Sequence, residues 1–160
     1  MGEMDVIPEK KRNLVKKLMS KRVSNVKFDG EYVSFTFDGR TIRNKVRPRK
    51  CLPWVGTWNR KNNTVYFDDD MAKNKKELLS LAVHESVEAY VGKRYGLRST
   101  AEGHYVAENV ERKFAQSSGV HWPTYQWRAE FVHRKETERK DNALKNTIRL
   151  LKKELKKKRD

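Results

Sequence analysis

Apolar positions along this chain change period several times, and each change predicts an element. Pro8 can open a helix, because the N–H it lacks would have no partner in the first turn. Leu14, Val15, Leu18 and Met19 then recur at helical spacing among Lys and Arg, which predicts a short amphipathic helix with one packed and one basic face. Val26 and Phe28 lead to Gly30. Val33, Phe35 and Phe37 next alternate with Tyr32, Ser34 and Thr36, the pattern of a half-buried strand. Asp38-Gly39 predicts a hairpin turn, since Gly accepts the positive φ that the turn needs, and residues 40–46 form the returning strand. Pro48 and Pro53 interrupt the pattern, so residues 47–58 read as loop or sheet edge. Residues 64–67 are a short strand closed by Asp68-Asp69-Asp70.

Beyond this point the period is helical. Asn74 followed by Glu77 is a capping pair, and residues 78–91 form a strong helix with Gly92 and Gly96 near its end. Ser99-Thr100-Ala101-Glu102 matches the Ser-x-x-Glu capping box and opens a second helix, which runs to about Ser117 and stops at Gly119. His121-Trp122-Pro123 is a connector. Thr124 caps a last helix over residues 125–158, in which Leu144, Ile148, Leu151 and Leu155 step by four, three and four as a narrow apolar seam. Residues 133–142 are almost wholly polar, so this helix breaks there or projects into water. The expected fold is α+β over residues 1–123: a small antiparallel sheet packed on a helical layer that includes an active-site helix. Residues 124–160 form a long, basic C-terminal helical extension.

Charge divides the chain differently. Of 160 residues, 37 are Lys or Arg and 21 Asp or Glu, a formal net charge of +16. The excess lies in residues 1–60 (15 basic, 6 acidic) and 116–160 (13 basic, 6 acidic), around a centre that is neutral at 9 of each. Two basic flanks suit phosphate backbones or another anionic surface. The strongest run is Lys152, Lys153, Lys156, Lys157, Lys158 and Arg159, a candidate nucleic-acid contact or a solvated helix end. No apolar run approaches the ~18 residues of a membrane span, which excludes membrane insertion. Met1 to Glu9 lacks the apolar stretch of a secretory signal. The single cysteine, Cys51, excludes an intrachain disulfide framework and a four-cysteine zinc site, and it reads as a packed or surface residue. A cytoplasmic location is expected.

The chemistry concentrates in residues 78–91, Leu-Leu-Ser-Leu-Ala-Val-His-Glu-Ser-Val-Glu-Ala-Tyr-Val. Apolar side chains occupy nearly every direction around this helix, the mark of a buried helix. Yet it contains His84, Glu85 and Glu88. His84 and Glu88 share one stripe, one turn apart, and a carboxylate among such neighbours is costly unless paired or bound to a cation. The next helix repeats the pattern with His104 and Glu108, and Glu111 falls on the same stripe. A helical hairpin closed by the short link after Gly92 brings both stripes together. His84, Glu88, His104 and Glu108 are then candidate metal ligands, with Glu111 orienting an imidazole from behind. Nitrogen and oxygen donors of this kind suit zinc, with iron or manganese as alternatives. The competing reading is a buried polar cluster, since His and Glu four apart on a helix often simply pair.

A short strand at residues 64–67 followed by a helix bearing His84-Glu85-x-x-Glu88 resembles the core of zincin-like metallopeptidases of the small, single-domain type. Their motif is His-Glu-x-x-His, with a third ligand further along. The resemblance covers about residues 60–115. It implies that His84 is the first zinc ligand and Glu85 the catalytic base. Glu88 stands where the family has its second histidine, and His104 or Glu108 supplies the third ligand. Glutamate at 88 adds a negative charge to the metal and makes its bound water less acidic.

The leading expectation is a zinc-dependent hydrolase acting on protein or peptide. One alternative is a non-catalytic nucleic-acid-binding protein using the basic flanks, and a second is a metal-dependent nuclease. Among the other candidates, Asp68-Asp69-Asp70 reads as strand-end and helix N-terminal charge, with cation binding as the alternative. His121 and His133 lie in polar surroundings. Trp54, Trp58, Trp122 and Trp127 read as packing residues over or beside the sheet, with stacking on bases as the alternative.

Overall fold

The structure, a computed structural model, describes residues 7–49, 56–71 and 74–157, except for the side chain of Glu136. The readings placed on Cys51, Pro53, Trp54, Lys158 and Arg159 lie outside these residues. Nine elements follow in order: α1 (Glu9–Met19), β1 (Ser24–Phe28), β2 (Tyr32–Phe37), β3 (Arg40–Pro48), β4 (Gly56–Asn59), β5 (Thr64–Phe67), α2 (Lys75–Tyr95), α3 (Glu102–Ser117) and α4 (Trp122–Lys157). The fold is α+β, as the alternation of periods predicts.

The alternation along β2 decides its orientation. Val33, Phe35 and Phe37 are buried, while Tyr32, Ser34 and Thr36 between them are only partly covered. β1, β2 and β3 form an antiparallel meander in which Phe35 pairs with Ile42 and Phe37 with Arg40 across the Asp38-Gly39 turn. The sheet order is β1-β2-β3-β5-β4. The sheet is not wholly antiparallel as expected, because β5 returns beside β3 in the same direction. The connection between them contains β4, which folds back antiparallel to β5 and becomes the outer strand. A strand reached by such a crossover pairs parallel.

α2 lies on the sheet and closes the core. Residues 80–89 are all buried, as a helix apolar in every direction should be. Val83, Val87 and Val91 meet Val33, Phe35 and Phe37 from the sheet, Val106 and Val110 from α3, and Val15 and Leu18 from α1 in one cluster. Asn74 caps α2 as predicted, its side chain accepting from the Glu77 N–H at 3.0 Å.

Two other boundaries differ from expectation. α3 begins at Glu102 with Ala101 at its N-cap and no side-chain cap, so the Ser99–Glu102 capping box does not form. Glu102 instead accepts from Lys11 at 3.0 Å and from Arg98 at 3.3 Å, and two cations outbid a serine N–H for that carboxylate. Trp122 and Pro123 belong to α4 rather than to a connector. α4 does not break over residues 133–142. It is 36 residues, about 54 Å at 1.5 Å per residue. Tyr125 and Val132 near its start are buried, whereas every described side chain from Arg134 to Lys157 is exposed. Among the described residues no helix is long and apolar enough to cross a membrane.

Candidate metal centre

The hairpin of α2 and α3 is set by its link. Gly96 caps α2 at φ +66°, a left-handed conformation that glycine adopts without strain. The Gly96 and Leu97 N–H groups donate back to Gly92 and Val91 carbonyls at 3.0 and 3.4 Å, which turns the chain sharply. Lys11 on α1 pins this link through the Gly96 carbonyl at 3.2 Å as well as through Glu102. α3 then lies against α2, and the His84 and His104 rings stand 4.9 Å apart, edge to face.

Between them lies Glu88. Its Oε2 is 3.4 Å from His84 Nε2 and 3.4 Å from His104 Nδ1. One donor atom from each of the three residues lies within 4.8 Å of the other two. These spacings are long for N–H···O hydrogen bonds, which cluster at ~2.7–3.2 Å. They match the edge of a tetrahedron, about 3.3–3.4 Å, for ligands at ~2.0–2.1 Å from a zinc ion. The three residues therefore form a possible metal-binding group.

A carboxylate stands behind the first imidazole. Glu111 Oε2 lies 2.7 Å from His84 Nδ1, and since an ionised carboxylate only accepts, Nδ1 carries the proton and donates. In the neutral ring, the form that binds a metal, this leaves the Nε2 lone pair toward Glu88 and His104, as in carboxylate–histidine–metal arrangements. The other oxygen of Glu111 accepts from the Tyr125 hydroxyl at 2.6 Å. Glu111 thus occupies the supporting place that its stripe predicts. Glu108, expected as a ligand, is not brought into the group: its Oε1 accepts from Gln126 on α4 at 3.3 Å. His121 pairs with Thr124 at 2.7 Å, and neither it nor His133 joins the cluster. Asp68, Asp69 and Asp70 form a separate acidic turn in which Asp68 is buried and accepts from the Asp70 N–H at 2.9 Å. Lys152, Lys153, Lys156 and Lys157 are exposed along α4, away from this centre.

Glu85 is held by a close approach of backbone. A Cβ placed on Gly56 would lie 2.6 Å from Glu85 Oε1, so the carboxyl is lodged between α2 and the outer strand β4, in space that glycine leaves open. Burial, with Glu88 and Glu111 nearby, pushes Glu85 up to about 8 against the opposing pull of His84. Burial would push His84 down, but Glu111, Glu88 and Glu85 outweigh it and raise it well above its ordinary value. Burial raises Glu88 too, yet His104 and His84 overcome this and hold it below the usual carboxylate range. Tyr125 is raised by burial and by Glu111, so its hydroxyl keeps its proton.

The centre opens to solvent on one side. The His104 side chain is 49% exposed against 10% for His84, which leaves room for a fourth ligand. A cleft of about 360 Å³ reaches Glu88 between Trp58 and Arg60 at the strand edge and Gly92, Arg98 and Thr100 at the helical link. The Arg60 guanidinium and the Lys93 ammonium both approach the Trp58 ring, at 5.4 and 5.3 Å from its centroid. It packs at the sheet edge, as expected, and there forms the cleft mouth. Sequence reasoning missed Tyr125, Gly56 and this cationic rim. Nothing in the spacing signals them: Tyr125, Gly56, Trp58 and Arg60 come from elements remote in the chain from the His84 helix, and Lys93 on α2 meets Trp58 only where β4 runs beside it.

The chain was compared with protein-family models, with curated proteins and with solved structures, and it matches none of them.

Proposed function

We propose that this chain is a zinc-dependent hydrolase, with His84, Glu88 and His104 as the metal ligands and a peptide as substrate. The observation that carries this reading is the shared 3.4 Å spacing of Glu88 Oε2 from two imidazole nitrogens, backed by a carboxylate on the far nitrogen of His84. A bound divalent cation supplies Lewis acidity, polarising a carbonyl and making water a better nucleophile at neutral pH.

The residues divide the remaining work. Glu111 and Tyr125 hold His84 in one tautomer and one orientation. Glu85 takes a proton from the attacking water and returns it to the leaving amine. A group raised to about 8 holds its proton more firmly than an ordinary carboxylate, which suits its return to the leaving amine, while the ionised form is the one that takes the proton from water. Its burial keeps bulk water from competing. Among the described residues β4 is the outer strand of the sheet, the position at which an extended peptide laid along the cleft adds a strand.

A second reading, a metal-dependent nuclease, draws on one observation: Arg60 and Lys93 flank Trp58 at the cleft mouth, a rim that suits a phosphate and a stacked base.

Elemental analysis of protein purified without a chelating tag tests the metal. Near-stoichiometric zinc, lost in the double variant His84→Ala/His104→Ala, is expected. Peptide and single-stranded DNA substrates, each assayed with Glu85→Gln, then separate the two reactions. Absence of zinc, or turnover unaffected by Glu85→Gln, overturns the proposal.

A further inference from the structure

The distal half of α4 carries an apolar face that no described residue of this chain covers. Leu144, Ile148, Leu150, Leu151 and Leu155 are 44–63% exposed. A single exposed leucine is ordinary, but five aliphatic side chains within one short stretch mark an interaction surface. At about 100° per residue, Leu144, Ile148, Leu151 and Leu155 fall within roughly 60° of one another. Leu150 lies about 100–160° from these four, beyond Thr147 and Glu154 and next to Lys157, so the apolar face is the narrow four-residue seam. Lys145 and Lys152 border the seam, Arg149, Lys153, Lys156 and Lys157 lie farther round toward the opposite side, and Glu154 is the one acid in residues 143–157.

Three occupants can be weighed by charge and length. A second copy of the helix would bring six cations toward six, with one carboxylate each to offset them. The residues flanking the seam are Lys145 and Lys152 on one side and Thr147 and Glu154 on the other, so few opposite-charge pairs form across it. The seam also spans fewer than the three or four heptads that a stable coiled coil needs. A nucleic acid would satisfy the lysines and leave the leucines in water. An anionic bilayer surface takes both: leucines enter the acyl boundary while lysines reach the head groups on their long stems. Such contact also stabilises a helix that projects alone into water.

We propose that residues 144–157 are a peripheral docking helix for an anionic lipid bilayer surface, which would seat the domain beside the membrane without crossing it. The test is co-sedimentation of the full chain with vesicles of phosphatidylcholine alone and of phosphatidylcholine with about one-quarter phosphatidylserine. Binding to the acidic vesicles only is expected. Lys152→Ala and Lys153→Ala should each weaken it about fivefold, and Ile148→Asp/Leu151→Asp should weaken it more than about tenfold. These positions lie outside the core, so the thermal midpoint of the domain should stay unchanged. Three results each overturn the proposal. One is acidic-vesicle binding that the aspartate pair leaves intact, which is charge attraction alone. Another is duplex DNA binding without vesicle binding. The third is a dimer that the aspartate pair dissociates in a chain that ignores vesicles.

Discussion

Glu111 on α3 and His84 on α2 meet through a 2.7 Å hydrogen bond from Nδ1 to Oε2, 27 residues apart in the chain. This bond joins the two helices at the point where the candidate ligands gather, and it is buried. Removing the carboxylate charge while keeping its shape should loosen the imidazole without opening the core. Glu111→Gln is therefore expected to lower zinc affinity about 10–100-fold, the usual effect of losing a partner behind a metal-bound histidine. Competition with a chromogenic chelator measures this. An unchanged affinity would mean that Glu111 only fills a buried polar pocket.

Much of this pair was legible in the sequence, and the reason is local. His84, Glu85 and Glu88 interrupt a helix that is apolar on every side, and such an interruption is visible without any tertiary information. His104 and Glu111 are legible because the same spacing recurs on the next helix. Glu108 shows the limit. Helical periodicity places it on the stripe with His104 and Glu111, but cannot say that Gln126 of α4 stands close enough to engage it. Ser99 and Glu102 show the same limit at a boundary. The local motif is a capping box, yet Lys11, 91 residues earlier, takes the carboxylate. The parallel pairing of β3 with β5 was likewise hidden, because direction depends on where β4 goes and not on the pattern within either strand.

Gly56 should be a position where a single methyl group acts on the reaction and not on the fold. A Cβ there would meet Glu85 Oε1 at 2.6 Å, so Gly56→Ala must push the carboxyl aside. The side chain can yield, so the domain should still fold. A shift of about 1 Å in a proton-transfer group costs on the order of a hundredfold in rate. Turnover should fall by that order with zinc content unchanged, measured by steady-state assay and elemental analysis of the same preparation. Full activity in Gly56→Ala would remove Glu85 from the reaction as placed here.

The starts of α2 and α3 should respond differently to the same kind of change. Asn74 accepts from the Glu77 N–H at 3.0 Å, and Asn74→Ala should cost about 1 kcal/mol, or roughly 2–4 °C in melting temperature for a chain of this size. Ser99 makes no cap for α3, so Ser99→Ala should change the melting temperature by less than about 1 °C. Differential scanning calorimetry of both variants decides the matter. Equal losses would show that the Ser99 cap forms in solution.

Glu102 is fully buried at the start of α3, with Lys11 and Arg98 as its partners. Burial alone would raise its carboxyl, but its own backbone N–H, the Lys11 ammonium and the Arg98 backbone N–H outweigh that and hold it below the usual carboxylate range. A carboxyl lowered by folding binds its proton more weakly in the folded chain than in the unfolded one. Its contribution is therefore fully present above the unfolded value and is lost as pH falls through the folded one. Glu102→Gln should then destabilise the domain at about pH 7, by roughly 1–3 kcal/mol for a buried hydrogen-bonded group. The gap to the parent chain should shrink as pH falls below about 4. Urea unfolding across that range measures both. A gap that stays constant with pH would show that Glu102 is held by shape and neutral hydrogen bonds, and that the Lys11 and Arg98 charges contribute nothing to closing the hairpin.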